Sequence, residues 1–199
     1  MKFSSEQFYD GKLQSHSTVA NHRLSDIYEM DSKSDLNSAL TFIDTAGANW
    51  HEEQESDGES RFNPQEAEFL IEQIRSATEA GVYEKDIAVI APYSAQVRFI
   101  REQADSKLGS VHQVEIDTVD GYQGREKEIV MISLVRSNEK CEIGFLADQR
   151  RMNVALTRAR RRLLIVGDSA TIGGHAFYER MLKYFETQDA YKSIWEFLY

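Results

Sequence analysis

The chain has 199 residues, enough for one domain with a full core, and its 41% hydrophobic and 28% charged content is that of an ordinary globular protein. A single cysteine, Cys141, excludes a disulfide framework and any cysteine-built zinc cluster; five scattered histidines show no metal-ligand spacing, and no apolar run approaches a membrane span. The net charge of -10 excludes a simple basic nucleic-acid module.

The charge is unevenly placed. Glu52, Glu53, Glu55, Asp57 and Glu59 form an acidic run without a base, which reads as a solvated loop. Arg150, Arg151, Arg158, Arg160, Arg161 and Arg162 form a basic run without an acid. Such a local surface can bind phosphate within an acidic whole, because screening limits electrostatic reach to about 8–10 Å. The N-terminal Met1–Glu6 has no apolar core like a signal peptide. A reducing, cytoplasmic setting is expected, with no metal held by these residues and no membrane partner.

Residues 1–37 are polar and serine-rich and read as an arm that needs something to pack on, with a turn at Phe8–Leu13. The core is expected over 38–199. Leu40–Asp44 is a strand candidate, followed by a loop from Ala48 to Phe62. Asn63 and Pro64 suit the cap and first position of a helix, and Ala67, Leu70, Ile71, Ile74 and Ala77 recur at helical spacing up to a stop at Gly81. Ile87–Ala91 is a wholly apolar strand broken by Pro92, Tyr93 and Ser94, with a helix through Val97 and Ile100. Val114–Asp117 and Ile129–Val135 are strands, residues 149–160 suit a helix, and Leu163–Val166 is the next strand. His175–Phe185 closes as a helix, and Trp195, Phe197 and Leu198 anchor the tail. Alternating helices and near-continuous apolar strands predict an α/β fold, a mostly parallel sheet covered by helices on both faces in three layers.

Two polar blocks each precede an apolar strand: Thr118–Lys127, and Asn153–Arg160 running into Arg161–Arg162. Arginine at a strand end grips phosphate oxygens with a fixed fork of donors and keeps its charge. Val119-Asp-Gly-Tyr-Gln-Gly-Arg-Glu-Lys127 and Arg151-Met-Asn-Val-Ala-Leu-Thr-Arg-Ala-Arg160 resemble motifs V and VI of superfamily 1 helicases, closest to the up-frameshift-like group of 5′-to-3′ RNA and DNA helicases. Three further blocks resemble that group: Asp86–Gln96 its motif IV, Val135–Asn138 with Gly144–Leu146 its connector between motifs V and VI, and Ser4–Leu13 the start of its second motor domain.

The resemblance implies a single RecA-like domain, the second of two motor domains that bind ATP with Mg2+ in the cleft between them. The first motor domain, a partner here, would supply the phosphate-binding loop and the magnesium ligands. By motif match Arg158 is the arginine finger; the plain alternative is an arginine paired with a surface acid. Arg160 carries a weaker nucleotide claim, like Arg161 and Arg162, against a solvated or nucleic-acid-facing role. Glu126 matches the position that accepts a ribose hydroxyl, against a surface glutamate. Gln123 and Arg125 fall near the phosphates, or make interdomain or surface contacts. Gly124 would let the backbone come close to a ligand. On the single-stranded RNA or DNA side stand Pro92, Tyr93, Ser94 and Gln96, then Thr118 and Asp120, then Ser137 and Asn138, whose hydroxyls and amides suit a sugar-phosphate backbone. Tyr93 also suits stacking, against a half-buried packing role, and Thr118 has the alternative of a strand-capping hydroxyl.

No G-x-x-x-x-G-K-[ST] loop occurs: the only Gly-Lys pair, Gly11-Lys12, is followed by Leu13, and Glu6 stands five before Gly11. The chain is therefore expected to be a fragment or separated domain of an ATP-dependent helicase, with little ATP hydrolysis alone. A non-catalytic nucleic-acid or protein interaction module that keeps the fold is the alternative. An unrelated nucleotide-binding doubly wound enzyme is disfavoured by the missing loop.

Overall fold

A computed structural model describes residues 2–56 and 58–198. Asp57, in the acidic run, lies outside them. In chain order the elements are α1 (Lys2–Phe8), β1 (Leu40–Asp44), β2 (Glu53–Gln54), β3 (Arg61–Phe62), α2 (Pro64–Glu79), β4 (Ile87–Ala91), α3 (Ser94–Lys107), β5 (Glu115–Thr118), β6 (Lys127–Ser133), α4 (Gln149–Leu156), β7 (Ala159–Gly167), α5 (Ser169–Ile172), α6 (Ala176–Thr187) and β8 (Tyr191–Ser193). Short 3-10 turns join several of them.

Six strands form one sheet in the order β5-β4-β6-β7-β1-β8, with every neighbour parallel. The strand residues alternate between two cores. Ile87, Val89 and Ala91 face a layer with Leu70, Ile74 and Ile100 of α2 and α3. Ala88 and Ile90 face Met152, Phe177 and Met181 of α4 and α6. Both faces are thus covered, which is why the strands read as unbroken apolar runs. The start of α2 follows its sequence signal: the Asn63 side chain accepts from the Glu66 N–H at 3.1 Å, with Pro64 next in line.

The arm has what it needs to pack on: residues 2–8 and 24–36 lie against the two cores, while 9–21 are exposed. Phe3 of α1 packs its ring 5.5 Å from those of Phe177 and Tyr184, and Leu24 is buried in the opposite layer with Tyr28, Met30 and Leu36 beside it. Three other expectations change. The acidic loop contains an antiparallel hairpin of β2 and β3. The helix expected over 149–160 stops at Leu156, where Thr157 Oγ1 donates back to the carbonyls of Asn153 (2.9 Å) and Val154 (3.0 Å). The next residues are drawn into the ladder with β6, so Arg160, Arg161 and Arg162 lie on a strand. Lastly, β6 ends at Ser133, and Val135 adopts φ +71° instead of extending it.

The β6–β7 pairing carries an irregularity. Lys127 pairs with Ala159 but Ile129 pairs with Arg162, so two steps on β6 face three on β7. This is a β-bulge in a parallel pair, an uncommon feature.

Leu24→Ala should destabilise the protein by about 2–5 kcal/mol, the usual cost of a buried leucine cavity. Residues 9–23 should also become more open to protease. Denaturant titration with limited proteolysis reads both, and unchanged protection would show that Leu24 does not hold this segment down.

Candidate nucleotide and nucleic-acid edges

The all-parallel sheet has two unlike edges, roughly 20 Å apart along the seven residues of β6. The residues expected at the nucleotide fall on the amino edge, where β6 and β7 begin. Those expected at nucleic acid fall on the carboxyl edge, after β4, β5 and β6.

On the amino edge, Arg158 is half-buried and tightly held. Its Nε donates to the Val154 carbonyl (2.9 Å), one Nη to the Arg125 carbonyl (3.3 Å) and the other to Thr157 Oγ1 (3.0 Å). Among the described residues no carboxylate forms an ion pair with it. Gln123, Gly124, Arg125 and Glu126 are all exposed on the approach to β6. Gly124 has φ +81°, and a Cβ there would meet no protein atom within 4 Å. Its backbone conformation, with no close protein approach, is what calls for glycine. Arg125 pairs with Glu115 (3.2 Å) and Asp117 (2.6 Å) and lies over the Tyr122 ring. Arg160 bonds Glu126 and Glu128, each at 3.3 Å, and these bonds raise its pKa. Arg161 pairs with the other oxygen of Glu128. Arg162 is neither solvated nor ligand-facing. It is buried, its Nη1 donates to the carbonyls of Asp35 (2.6 Å) and Ser38 (2.8 Å), and burial lowers its pKa to about 10. A groove of about 1020 Å³ opens beside Arg160 and Arg161, walled by residues 32–40 and the end of α6.

On the carboxyl edge, Ser94 and Asp120 are exposed, and Pro92 and Thr118 are half-buried. Thr118 Oγ1 accepts from the Gly121 N–H (3.1 Å), which leaves its own hydrogen to donate outward. Asp120 is paired with Arg151 at 3.2 Å. The remaining expectations need correction. Tyr93 is buried, so its ring offers no face to a strand. Gln96 is fully buried, its amide bonding both backbone groups of Asn63 and the Ser133 hydroxyl. Ser137 is buried and donates to Asp168 at 2.8 Å. The Asn138 amide is occupied in closing a turn onto Glu142 and Glu52. These polar residues build the frame behind the edge.

That frame contains two acids the sequence reading did not single out. Glu52, from the supposedly solvated run, is half-buried, with its side chain only 6% exposed. Its Oε2 accepts from Arg136 Nε (2.8 Å), the Ser137 N–H (2.9 Å) and Asn138 Nδ2 (3.2 Å), and its Oε1 pairs with Arg61 (3.2 Å). Arg136 in turn donates to the Tyr93 hydroxyl at 3.2 Å. Burial lowers the Arg136 pKa, but its bonds to Tyr93 and Glu52 outweigh that and raise it. Glu66, on the inner face of α2, accepts from Ser133 Oγ (2.5 Å) and the Val135 N–H (3.0 Å). Burial pushes its pKa up to about 8, against the pull of those two bonds. The sequence signals were faint: an acid inside an acidic run, and a glutamate in the first turn of a helix.

Among the described residues no group of three or more His, Cys, Asp or Glu side chains is arranged to hold a metal ion, and no helix is long and apolar enough to cross a membrane. A family model described as an AAA domain matches residues 1–170. The DNA-binding protein SMUBP-2 of Mus musculus is 42% identical over 198 residues, covering 100% of this chain and 20% of that protein. The DNA polymerase alpha-associated DNA helicase A of Schizosaccharomyces pombe is 42% identical over 177 residues, covering 86% of this chain and 26% of its own length. A regulator of nonsense transcripts 1 homolog of Neurospora crassa is 36% identical over 193 residues, covering 93% of this chain and 17% of its own. The chain thus spans about a sixth to a quarter of the length of these relatives.

Two outcomes follow from the buried frame. Below pH 4.5 Glu66 is protonated whether the chain is folded or not; between about 4.5 and 8 only the folded state keeps the proton. Stability should therefore fall as pH rises through that window, by at most about 1.4 kcal/mol per pH unit, and Glu66→Gln should flatten the fall. Urea midpoints at about pH 5.5 and about pH 7.5 test this; equal slopes for both proteins would refute it. Glu52→Ala strands a buried guanidinium and should cost about 3–5 kcal/mol, with Glu52→Gln costing less. Thermal unfolding of the two variants measures the difference.

Proposed function

The chain belongs to the AAA domain family, within the up-frameshift-like group of superfamily 1 helicases as a second RecA-like motor domain, and from that footing we propose that it supplies the arginine finger and part of the single-strand grip of an ATP-driven helicase. The carrying observation is Arg158. Three neutral acceptors fix its guanidinium at an open edge while no described carboxylate neutralises it. A fixed, uncompensated positive charge is what a γ-phosphate needs as negative charge develops on its oxygens, and such a charge is worth roughly 10³–10⁵ in rate in nucleotide hydrolases.

In this reading the triphosphate and its magnesium sit on the first motor domain and meet this chain's amino edge. ATP with its metal supplies the phosphoryl chemistry; the residues here orient and neutralise. Arg158 faces the γ-phosphate. Glu126 uses one oxygen for Arg160 and offers the other to a ribose hydroxyl. Gln123, Arg125 and Arg160 line the approach, and Gly124 shapes the turn that carries them.

Nucleic acid runs across the carboxyl edge. Ser94 and Thr118 donate to the backbone of a single strand, beside Pro92 and Asp120, without reading bases. With ligands on opposite edges of one rigid sheet, closure of the nucleotide cleft would change the grip by rotating the whole domain.

Alone, the chain should hydrolyse ATP negligibly. In a longer protein that includes the first motor domain, Arg158→Ala should cut strand-stimulated ATPase by about 10³–10⁵-fold with folding unchanged. Steady-state turnover with saturating oligonucleotide measures it. An undiminished rate would remove Arg158 from this role and favour a binding module that keeps the fold without the motor.

A further inference from the structure

Phe145 is a large apolar side chain held out to solvent beside the carboxyl ends of β4 and β5, at 57% exposure. It is not exposed because its loop is loose. Its N–H donates to the Tyr93 hydroxyl at 3.2 Å, and its ring lies 5.2 Å from the buried Tyr93 ring at 49°. The residue before it, Gly144, has φ +52°, and a Cβ there would sit 2.0 Å from Arg136 Nη1 and 2.5 Å from the Tyr93 hydroxyl. The residue after it, Leu146, is buried, and its carbonyl accepts from the Tyr178 hydroxyl at 2.7 Å. The backbone is clamped on both sides, and only the ring is left outside.

The ring's surroundings are chemically specific. Phe145 shares a shallow depression with Pro92, Thr118, Asp120 and Arg151, at the ends of β4 and β5. A flat aromatic face beside a free hydroxyl donor and a guanidinium matches one nucleotide unit: base, sugar and phosphate. Stacking on an aromatic face tolerates any base and contributes about 1–3 kcal/mol each. Tyr93, which the sequence offered for this task, instead backs Phe145 from beneath.

We infer that Phe145 is a stacking platform for a base of the bound single strand, positioned by Tyr93 and Gly144. The inference rests on the proposed single-strand grip of the carboxyl edge and adds to it the residue that touches the base.

The test uses a longer protein that includes the first motor domain, with two twelve-nucleotide probes: an oligothymidylate, and a strand of the same length and charge made of abasic sites. Phe145→Ala should weaken oligothymidylate binding by about 5–150-fold, the equivalent of one lost stack, with Phe145→Trp restoring it. Neither change should alter binding of the abasic strand or the salt dependence of affinity, because no phosphate contact is lost. Unchanged thermal stability of Phe145→Ala certifies the fold. Oligothymidylate binding unaffected by Phe145→Ala, or an equal loss on both probes, overturns the stacking role while leaving the grip in place. Failure of the unaltered longer protein to bind either probe overturns the grip itself, and the stacking role with it.

Discussion

The buried pairing of Glu52 with Arg136 is the constraint on which the carboxyl edge depends. Two charges removed from water hold together only when their remaining donors and acceptors are also met. Here they are. The carboxylate takes three hydrogen bonds on one oxygen and Arg61 on the other, and the guanidinium reaches on to Tyr93. Residues far apart in sequence are thereby tied to a single point. The Glu52 N–H also donates to the Ser137 carbonyl at 3.1 Å, so the hairpin loop is bonded to the turn after β6 in both directions. Through Tyr93 the same point fixes the Gly144–Phe145 backbone.

Behind this lies a second polar layer running from Asn63 through Gln96 and Ser133 to Glu66 and the Val135 N–H. It bends the chain sharply as it leaves β6. Val135 is β-branched and disfavours φ +71°, so the bend persists because its backbone and neighbours over-determine it. A strand that had continued to Val135, as its apolar run suggests, would have carried Arg136 past Glu52. The strain at one residue and the buried pair beside it are two parts of the same turn.

The fold was largely legible in the sequence because its strands are short, apolar and separated by well-punctuated helices. Asn63-Pro64 marked a helix start that the structure uses, and Ile87–Ala91 is a strand to the residue. Boundaries failed where a tertiary partner decides. The helical pattern stops at Leu156 because Thr157 bonds back onto the last turn and the residues after it pair with β6. The motif blocks fall at two edges of the sheet, but they do not tell which side chains reach the surface. Gln96, Ser137 and Tyr93 are polar residues near strand ends, as Ser94 and Thr118 are, and only the packed neighbours tell the buried set from the accessible one. Glu52 was hidden for the opposite reason. It looks like its acidic neighbours, and its partner is 84 residues away.

The bulge between β6 and β7 also governs how the basic motif is aimed. In an even pleat, consecutive side chains point to opposite faces, yet Arg160 and Arg161 both reach Glu128, one on each carboxylate oxygen. The extra residue on β7 resets the alternation between the arginines and the apolar run that follows. Upstream of it the chain obeys the demands of the exposed amino edge, and downstream those of the core from Leu163 onward. The bulge therefore works as a phase joint, through which the arginines can be re-aimed without turning a single core side chain outward.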